Sequence, residues 1–187
     1  MKFLALFLTI FLVLALPSKA ADRTIIVLDA SGSMWTQIDG KSRIEIAKET
    51  VKTVVGNLPA DRQVGLMVYG HRDKGSCTDI ELLVAPAAGT SAAIIAATNK
   101  IGPKGKTPLS EAVKRAAEEL KYTEEKATVI LVTDGLETCN ADPCALGAEL
   151  EKSGVDFTAH VVGFGLTEAE GKKVACLATN TGGSTTN

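Results

Sequence analysis

Ile25-Ile26-Val27-Leu28-Asp29-Ala30-Ser31-Gly32-Ser33-Met34 decides how the chain of 187 residues is organised. Four consecutive apolar residues, three of them β-branched, describe a strand buried on both faces, as in a parallel sheet. The run stops at the carboxylate of Asp29, and Ala30 to Ser33 are small or polar. A loop at the carboxyl end of a central strand is where open α/β sheets place ligands. Asp29, Ser31 and Ser33 stand at alternate positions, so three oxygen side chains can converge on one point. Hard oxygen donors with a single nearby carboxylate suit Mg²⁺ or Mn²⁺ better than Zn²⁺.

Working outward, Met34 to Lys41 reads as a loop with an Asp39-Gly40 turn. Ser42 and Glu45 form a capping box, and Ile44, Ala47, Val51, Val54, Val55 and Leu58 recur at helical spacing before Pro59. Val64 to Tyr69 predicts a second strand that ends in Gly70-His71-Arg72, and Ile80 to Val84 a short third one. The link between them is too short for a crossover helix, so these two strands pair antiparallel. Ser91 to Lys100 reads as a helix, followed by the loop Gly102-Pro-Lys-Gly-Lys106. Thr107 is expected to cap the next helix with Pro108 at its first position, and Leu109, Ala112, Val113, Ala116, Ala117 and Leu120 form the buried stripe. Thr128 to Thr133 is another apolar strand, ending at Asp134-Gly135. Asp142-Pro143 opens a helix to Lys152 closed by Gly154, and Asp156 to Val162 is a strand. Thr167 and Glu170 make a second capping box for a helix to about Ala178. Strands alternating with helices predict an α/β fold: a doubly wound, mainly parallel sheet with helices on both faces and one antiparallel strand.

Three segments carry a family resemblance: Asp29-x-Ser31-x-Ser33, Lys106-Thr107-Pro108-Leu109 and Thr133-Asp134-Gly135. In order, spacing and local structure they resemble the metal-ion-dependent adhesion site of the von Willebrand factor A domain. The resemblance extends from about Arg23 to Gly183, and Asp-Ala-Ser-Gly-Ser-Met-Trp35 with Tyr69-Gly-His-Arg72 is similar to the secreted bacterial type. It implies that Ser31 and Ser33 coordinate a cation directly, that Thr107 does so directly or through water, and that Asp29 and Asp134 hold it directly or through waters. One octahedral position then stays open for an Asp or Glu from a protein partner. In that family a final strand and helix normally follow at the point where Thr181 to Asn187 ends this sequence, so the last strand is expected to be very short or missing. Taken singly, each residue has a plainer reading: Asp29 and Asp134 as turn residues ending strands, Ser31-Gly32-Ser33 as a tight turn, Thr107 as a helix cap.

Composition sets the compartment. Lys2 precedes a predominantly apolar run of 14 residues, Phe3 to Leu16, too short for a membrane span of about 20 residues. Pro17-Ser18-Lys19-Ala20 follows as a cleavage site, which predicts a signal peptide over residues 1–20 and a domain over 21–187. Export makes the expected location extracytoplasmic, secreted or periplasmic, with no stable membrane insertion after cleavage. Without Lys2 and Lys19 the chain keeps 18 basic against 22 acidic residues, a balance that offers nucleic acid no electrostatic footprint. Cys77, Cys139, Cys144 and Cys176 match no common zinc spacing, and an even number in an exported chain favours disulfides. With strands ordered 3-2-1-4-5, Cys77 and Cys176 fall at opposite edges and do not pair. Either Cys139 and Cys144 bridge locally, or each joins one of the distant two.

Enzymatic readings fit less well. Gly105-Lys106-Thr107 imitates a phosphate-binding loop, but Lys100 stands where the motif needs Gly and a helix precedes the loop instead of a strand, which argues against a nucleotide. Ser31 lacks the G-x-S-x-G elbow. Of the two histidines, His160 lies inside a predicted strand and His71 at the end of another. A metal-dependent hydrolase would need a water-activating base, and no Glu or His is dedicated to that task. Trp35 directly follows the Asp29 loop and is either a partner anchor or packed beneath the loop. The sequence therefore points to a non-enzymatic, metal-dependent protein-binding module, with a metal-dependent hydrolase and a metal-free interaction module as the alternatives.

Overall fold

The computed structural model describes residues 22–187, and the predicted signal peptide lies outside them. The chain runs β1 (Arg23–Asp29), a 3₁₀ turn (Gly32–Trp35), β2 (Gln37–Ile38), β3 (Lys41–Ser42), α1 (Arg43–Asn57), β4 (Gln63–Tyr69) and β5 (Ile80–Ala87). It continues through α2 (Ser91–Asn99), α3 (Leu109–Glu119), β6 (Ala127–Thr133), α4 (Pro143–Ser153), β7 (Phe157–Gly163), α5 (Glu168–Asn180) and β8 (Thr185–Thr186). The main sheet has the order β5-β4-β1-β6-β7-β8. Every pairing in it is parallel except β4 with β5, as the short link between those two strands requires.

β1 is central because it is apolar from Ile25 to Leu28, and both of its faces are covered. Ile25 and Val27 point into a core shared with α3, α4 and α5; Ile26 and Leu28 point into a core shared with α1 and α2. Ile25 to Leu28 are completely buried, which is the doubly covered state that an unbroken apolar run requires. The expected stripe on α3, from Leu109 through Ala117, and Leu120 just beyond it are all buried. Both capping boxes form, at Ser42–Glu45 and at Thr167–Glu170. The last strand is short: β8 has two residues, paired with Val161 and Val162.

Two local expectations are corrected. Met34 to Lys41 is not merely a loop, since β2 and β3 form a small hairpin turned by Asp39 (φ 52°) and Gly40 (φ 83°). Two successive left-handed residues are what a two-residue hairpin turn demands, and Asp-Gly supplies them. Thr107 does not cap α3. The helix starts at Leu109 with Pro108 in the cap position, and Thr107 is held one step outside by main-chain bonds to Thr138. The first turn is satisfied from a distance instead, with the Ser110 N–H donating to Glu137 Oε2 at 2.9 Å. The cysteine alternatives also resolve. Cys139 pairs with Cys77 and Cys144 pairs with Cys176, so each loop cysteine reaches a distant partner.

Candidate metal centre

The candidate site is assembled at the carboxyl ends of β1, β4 and β6 by loops that bond to each other through the backbone. Gly32 N–H donates to Gly105 O at 2.9 Å, and Lys104 N–H donates to Ala30 O at 2.9 Å. Gly70, with φ 70°, lies so close to Ser31 and the Lys106 carbonyl that a Cβ there would collide with both. At Gly105 a Cβ would strike the Asp73 carbonyl. Backbone contact this close is possible only without side chains, so these two glycines set the spacing of the loops.

Four of the five predicted residues lie in one hydrogen-bonded chain. Asp29 is fully buried; its Oδ1 accepts the Ser31 N–H at 2.7 Å and its Oδ2 accepts the Thr133 hydroxyl at 2.7 Å. The Ser31 and Ser33 hydroxyls are 3.0 Å apart, and Ser33 Oγ donates to Asp134 Oδ1 at 2.7 Å. Thr107 is brought alongside by the Gly105 contact, buried, with its N–H donating to Thr138 Oγ1 at 2.8 Å and its carbonyl accepting the Thr138 N–H at 3.1 Å. Among the described residues its hydroxyl makes no hydrogen bond to the other four.

Several residues that shape the site carry no local signal in the sequence. Thr133 gives its proton to Asp29 while accepting from the Tyr69 hydroxyl and the Gly135 N–H, each at 3.2 Å. Arg43, the first residue of α1, donates from Nη1 to Asp134 Oδ2 at 2.9 Å. Asp134's side chain is 0% exposed and Arg43's 17%, so this ion pair is largely desolvated. Burial pushes the Asp29 carboxyl above the usual range, and the negative charge of Asp134 pushes it further; hydrogen bonds from Ser31 and Thr133 oppose both. Burial, and then the charge of Asp29, hold the Tyr69 phenol well above its ordinary value.

This donor set fits a hard divalent cation. All of its donors are oxygens, the donor type such ions prefer. Ser33 Oγ donates its hydrogen to Asp134 and accepts from Ser31 Oγ, which leaves it a lone pair for a cation, and the Asp29 and Asp134 carboxylates repel each other even with Arg43 paired to Asp134. His71 pairs with Glu81 at 3.1 Å and His160 with Ser184 at 2.9 Å, so neither histidine bonds to Ser31 or Ser33. A cavity of about 300 Å³ opens elsewhere, between Leu136, Pro143, Cys144 and Val174. Trp35 is 60% exposed at the rim of the site, while its indole N–H is anchored on the Pro103 carbonyl at 2.9 Å.

The fold agrees with comparisons to known proteins. A family profile for the von Willebrand factor type A domain matches residues 24–137. The Bacillus subtilis protein YwmC, itself uncharacterised, is 31% identical over 175 residues, covering 89% of this chain and 76% of the relative. Among solved structures, a von Willebrand factor type A protein from Catenulispora acidiphila superposes with a TM-score of 0.68 at 20% identity over 89% of this chain. Proximal thread matrix protein 1 from the mussel byssus, solved with a zinc-occupied MIDAS motif, gives 0.63 at 21% identity, again over 89% of this chain. At such identities they speak for the fold alone, and this chain spans only 38% and 41% of their lengths. The profile and the Bacillus relative go further: the chain belongs to the von Willebrand factor type A domain family.

Proposed function

We propose that this chain is an exported, metal-dependent protein-binding module that captures an Asp or Glu side chain of a partner protein. Von Willebrand A domains are in general protein-interaction modules. The finer reading places Mg²⁺ or Mn²⁺ among Asp29, Ser31, Ser33, Thr107 and Asp134. The observation that carries it is the Asp29–Ser31–Ser33–Asp134 chain of hydrogen bonds, which gathers oxygen donors from two distant loops at one point. When bound, the cation supplies an electron-poor position for a partner's carboxylate oxygen. The chain's own residues do the rest. Thr133 and the Ser31 N–H orient Asp29, Arg43 orients Asp134, and the Thr107 loop closes the third side. Trp35 adds an exposed aromatic surface with its polar atom already satisfied, suited to apolar groups flanking the captured carboxylate. Export accounts for the apolar run Phe3 to Leu16 and for two disulfides, which persist in oxidising compartments.

Titration calorimetry of Mg²⁺, Mn²⁺ and Zn²⁺ into metal-stripped residues 21–187 tests the reading, with zinc included because it occupies the mussel protein's motif. We expect saturable 1:1 binding of Mg²⁺ and Mn²⁺ that is lost in Asp29→Ala and Asp134→Ala. Asp29→Ala orphans the Ser31 N–H and the Thr133 hydroxyl, costing about 1–3 kcal/mol. Circular dichroism should nevertheless show the wild-type fold. If wild type bound none of these ions, even with acetate present to complete the shell, a metal-free interaction module would replace this proposal.

A further inference from the structure

Arg43 occupies a position that local chemistry disfavours. It is the first residue of α1, where the helix dipole and the unpaired N–H groups favour negative charge. A conflict between a residue and its local structure often marks a functional site. Here the side chain crosses to a residue 91 positions away, with Nη1 2.9 Å from Asp134 Oδ2 and 3.4 Å from the Asp134 carbonyl, while Nη2 lies 3.4 Å from the Gly165 carbonyl. Its Nε is buried without a partner, so the guanidinium is turned to Asp134 at the expense of its own satisfaction. Asp134 is thereby committed on both oxygens, one to Ser33 inside the site and one to Arg43 behind it.

Resting on the metal-centre reading above, we infer that Arg43 tunes the site for capturing carboxylates at the expense of holding the cation. The two buried carboxylates and one guanidinium carry a net single negative charge, so a divalent cation leaves the loaded centre with one positive charge. Without Arg43 the loaded centre would be neutral. The guanidinium competes with the cation for Asp134 and repels it, which weakens metal binding. The same positive charge remains after loading and strengthens attraction for an incoming anion in a poorly solvated site. Metal affinity and carboxylate affinity therefore move in opposite directions when Arg43 changes.

The test measures Mn²⁺ binding to wild type, Arg43→Met and Arg43→Lys, with and without acetate, alongside the metal-induced shift in melting temperature. Arg43→Met should bind Mn²⁺ more tightly, on the order of tenfold, and show a larger metal-induced melting shift, because Asp134 is left buried and unpaired until the ion arrives. Acetate should tighten Mn²⁺ binding in wild type and do so less in Arg43→Met. Arg43→Lys, which keeps the charge, should follow wild type in both measurements. Should Arg43→Met not fold when metal-stripped, Arg43→Gln carries the same comparison, its amide still able to donate to Asp134. Equal or weaker Mn²⁺ binding by the neutral variants, or unchanged acetate dependence, would overturn the role given to Arg43 and leave the metal centre standing. Absence of Mn²⁺ binding in wild type and every variant, with or without acetate, would overturn both.

Discussion

The two disulfides start five residues apart, one from the loop after β6 and one from the first turn of α4, and the contrast separates what holds the molecule together from what holds its site. Cys139 and Cys144 both follow β6, but Cys139 joins the β4–β5 loop and Cys144 joins α5. Around Cys77–Cys139, neighbouring contacts lead back to the candidate centre. Thr138 brackets Thr107, Glu137 accepts from the Ser110 and Cys139 N–H groups, and Asp73 in the Cys77 loop packs against Gly105. Asp79 organises that loop by accepting the Arg72 and Asp73 N–H groups and the Arg72 guanidinium. Around Cys144–Cys176 the contacts stay within the outer helical layer. Asp142 caps α4, and Asn180 of α5 donates to the Cys144 carbonyl at 2.9 Å. One bridge fastens loops that present oxygen atoms; the other fastens two helices to each other.

The largest expected effect comes from removing each bridge in turn. The bridged residues lie 62 and 32 positions apart, and chain entropy assigns loops of those sizes about 4.3 and about 3.7 kcal/mol of stability. Urea denaturation should therefore show similar losses in Cys77→Ser/Cys139→Ser and Cys144→Ser/Cys176→Ser. Mn²⁺ affinity should fall only in the first pair, since only that pair frees the Thr107 and Asp134 loops. Equal losses of affinity would show that the centre depends on global stability, and the contrast would collapse.

What the sequence discloses here follows from the range of the forces involved. Ile25 to Leu28 and Val129 to Val132 disclose their strands because burial on two faces demands unbroken apolar runs. Both capping boxes are legible because their partners are three residues apart. The Asp29–Ser31–Ser33 cluster is legible for the same reason. Thr107 misleads: Thr-Pro-Leu fits a cap followed by a first-turn proline, but bonds to Thr138, 31 residues on, draw Thr107 out of the cap position. β2 and β3, at two residues each, are too short for any periodicity to show. Arg43 with Asp134, Tyr69 with Thr133 and the choice between disulfide pairings depend on chain crossings that no local pattern encodes.

A smaller perturbation sharpens the contrast on the side of the centre. Thr138→Val keeps the side chain's shape and removes the hydroxyl that accepts the Thr107 N–H. The Thr107 N–H then lacks its partner, at a cost of about 1–3 kcal/mol. Because the lost bond fixes one wall of the proposed metal centre, Mn²⁺ affinity should fall as well, though less than when Cys77–Cys139 is removed. A stability loss with unchanged affinity would mean that Thr107 is not a ligand and serves only to join the loops.

The smallest effect belongs to the other side. Asp142 Oδ1 accepts the Cys144 and Ala145 N–H groups, at 2.8 and 3.2 Å, and so satisfies two of the donors that α4 exposes at its start. Asp142→Ala removes that cap and should cost about 1 kcal/mol. Asp142 lies eight residues beyond Asp134 but beyond Cys139 as well, and the first disulfide stands between the frayed helix end and the centre. Mn²⁺ affinity should therefore match wild type. The bridge itself can be tested by placing Asp142→Ala in the Cys77→Ser/Cys139→Ser background. If the disulfide insulates the centre from α4, the same cap loss should now weaken Mn²⁺ binding further, whereas additive behaviour would show that the two regions are independent without it.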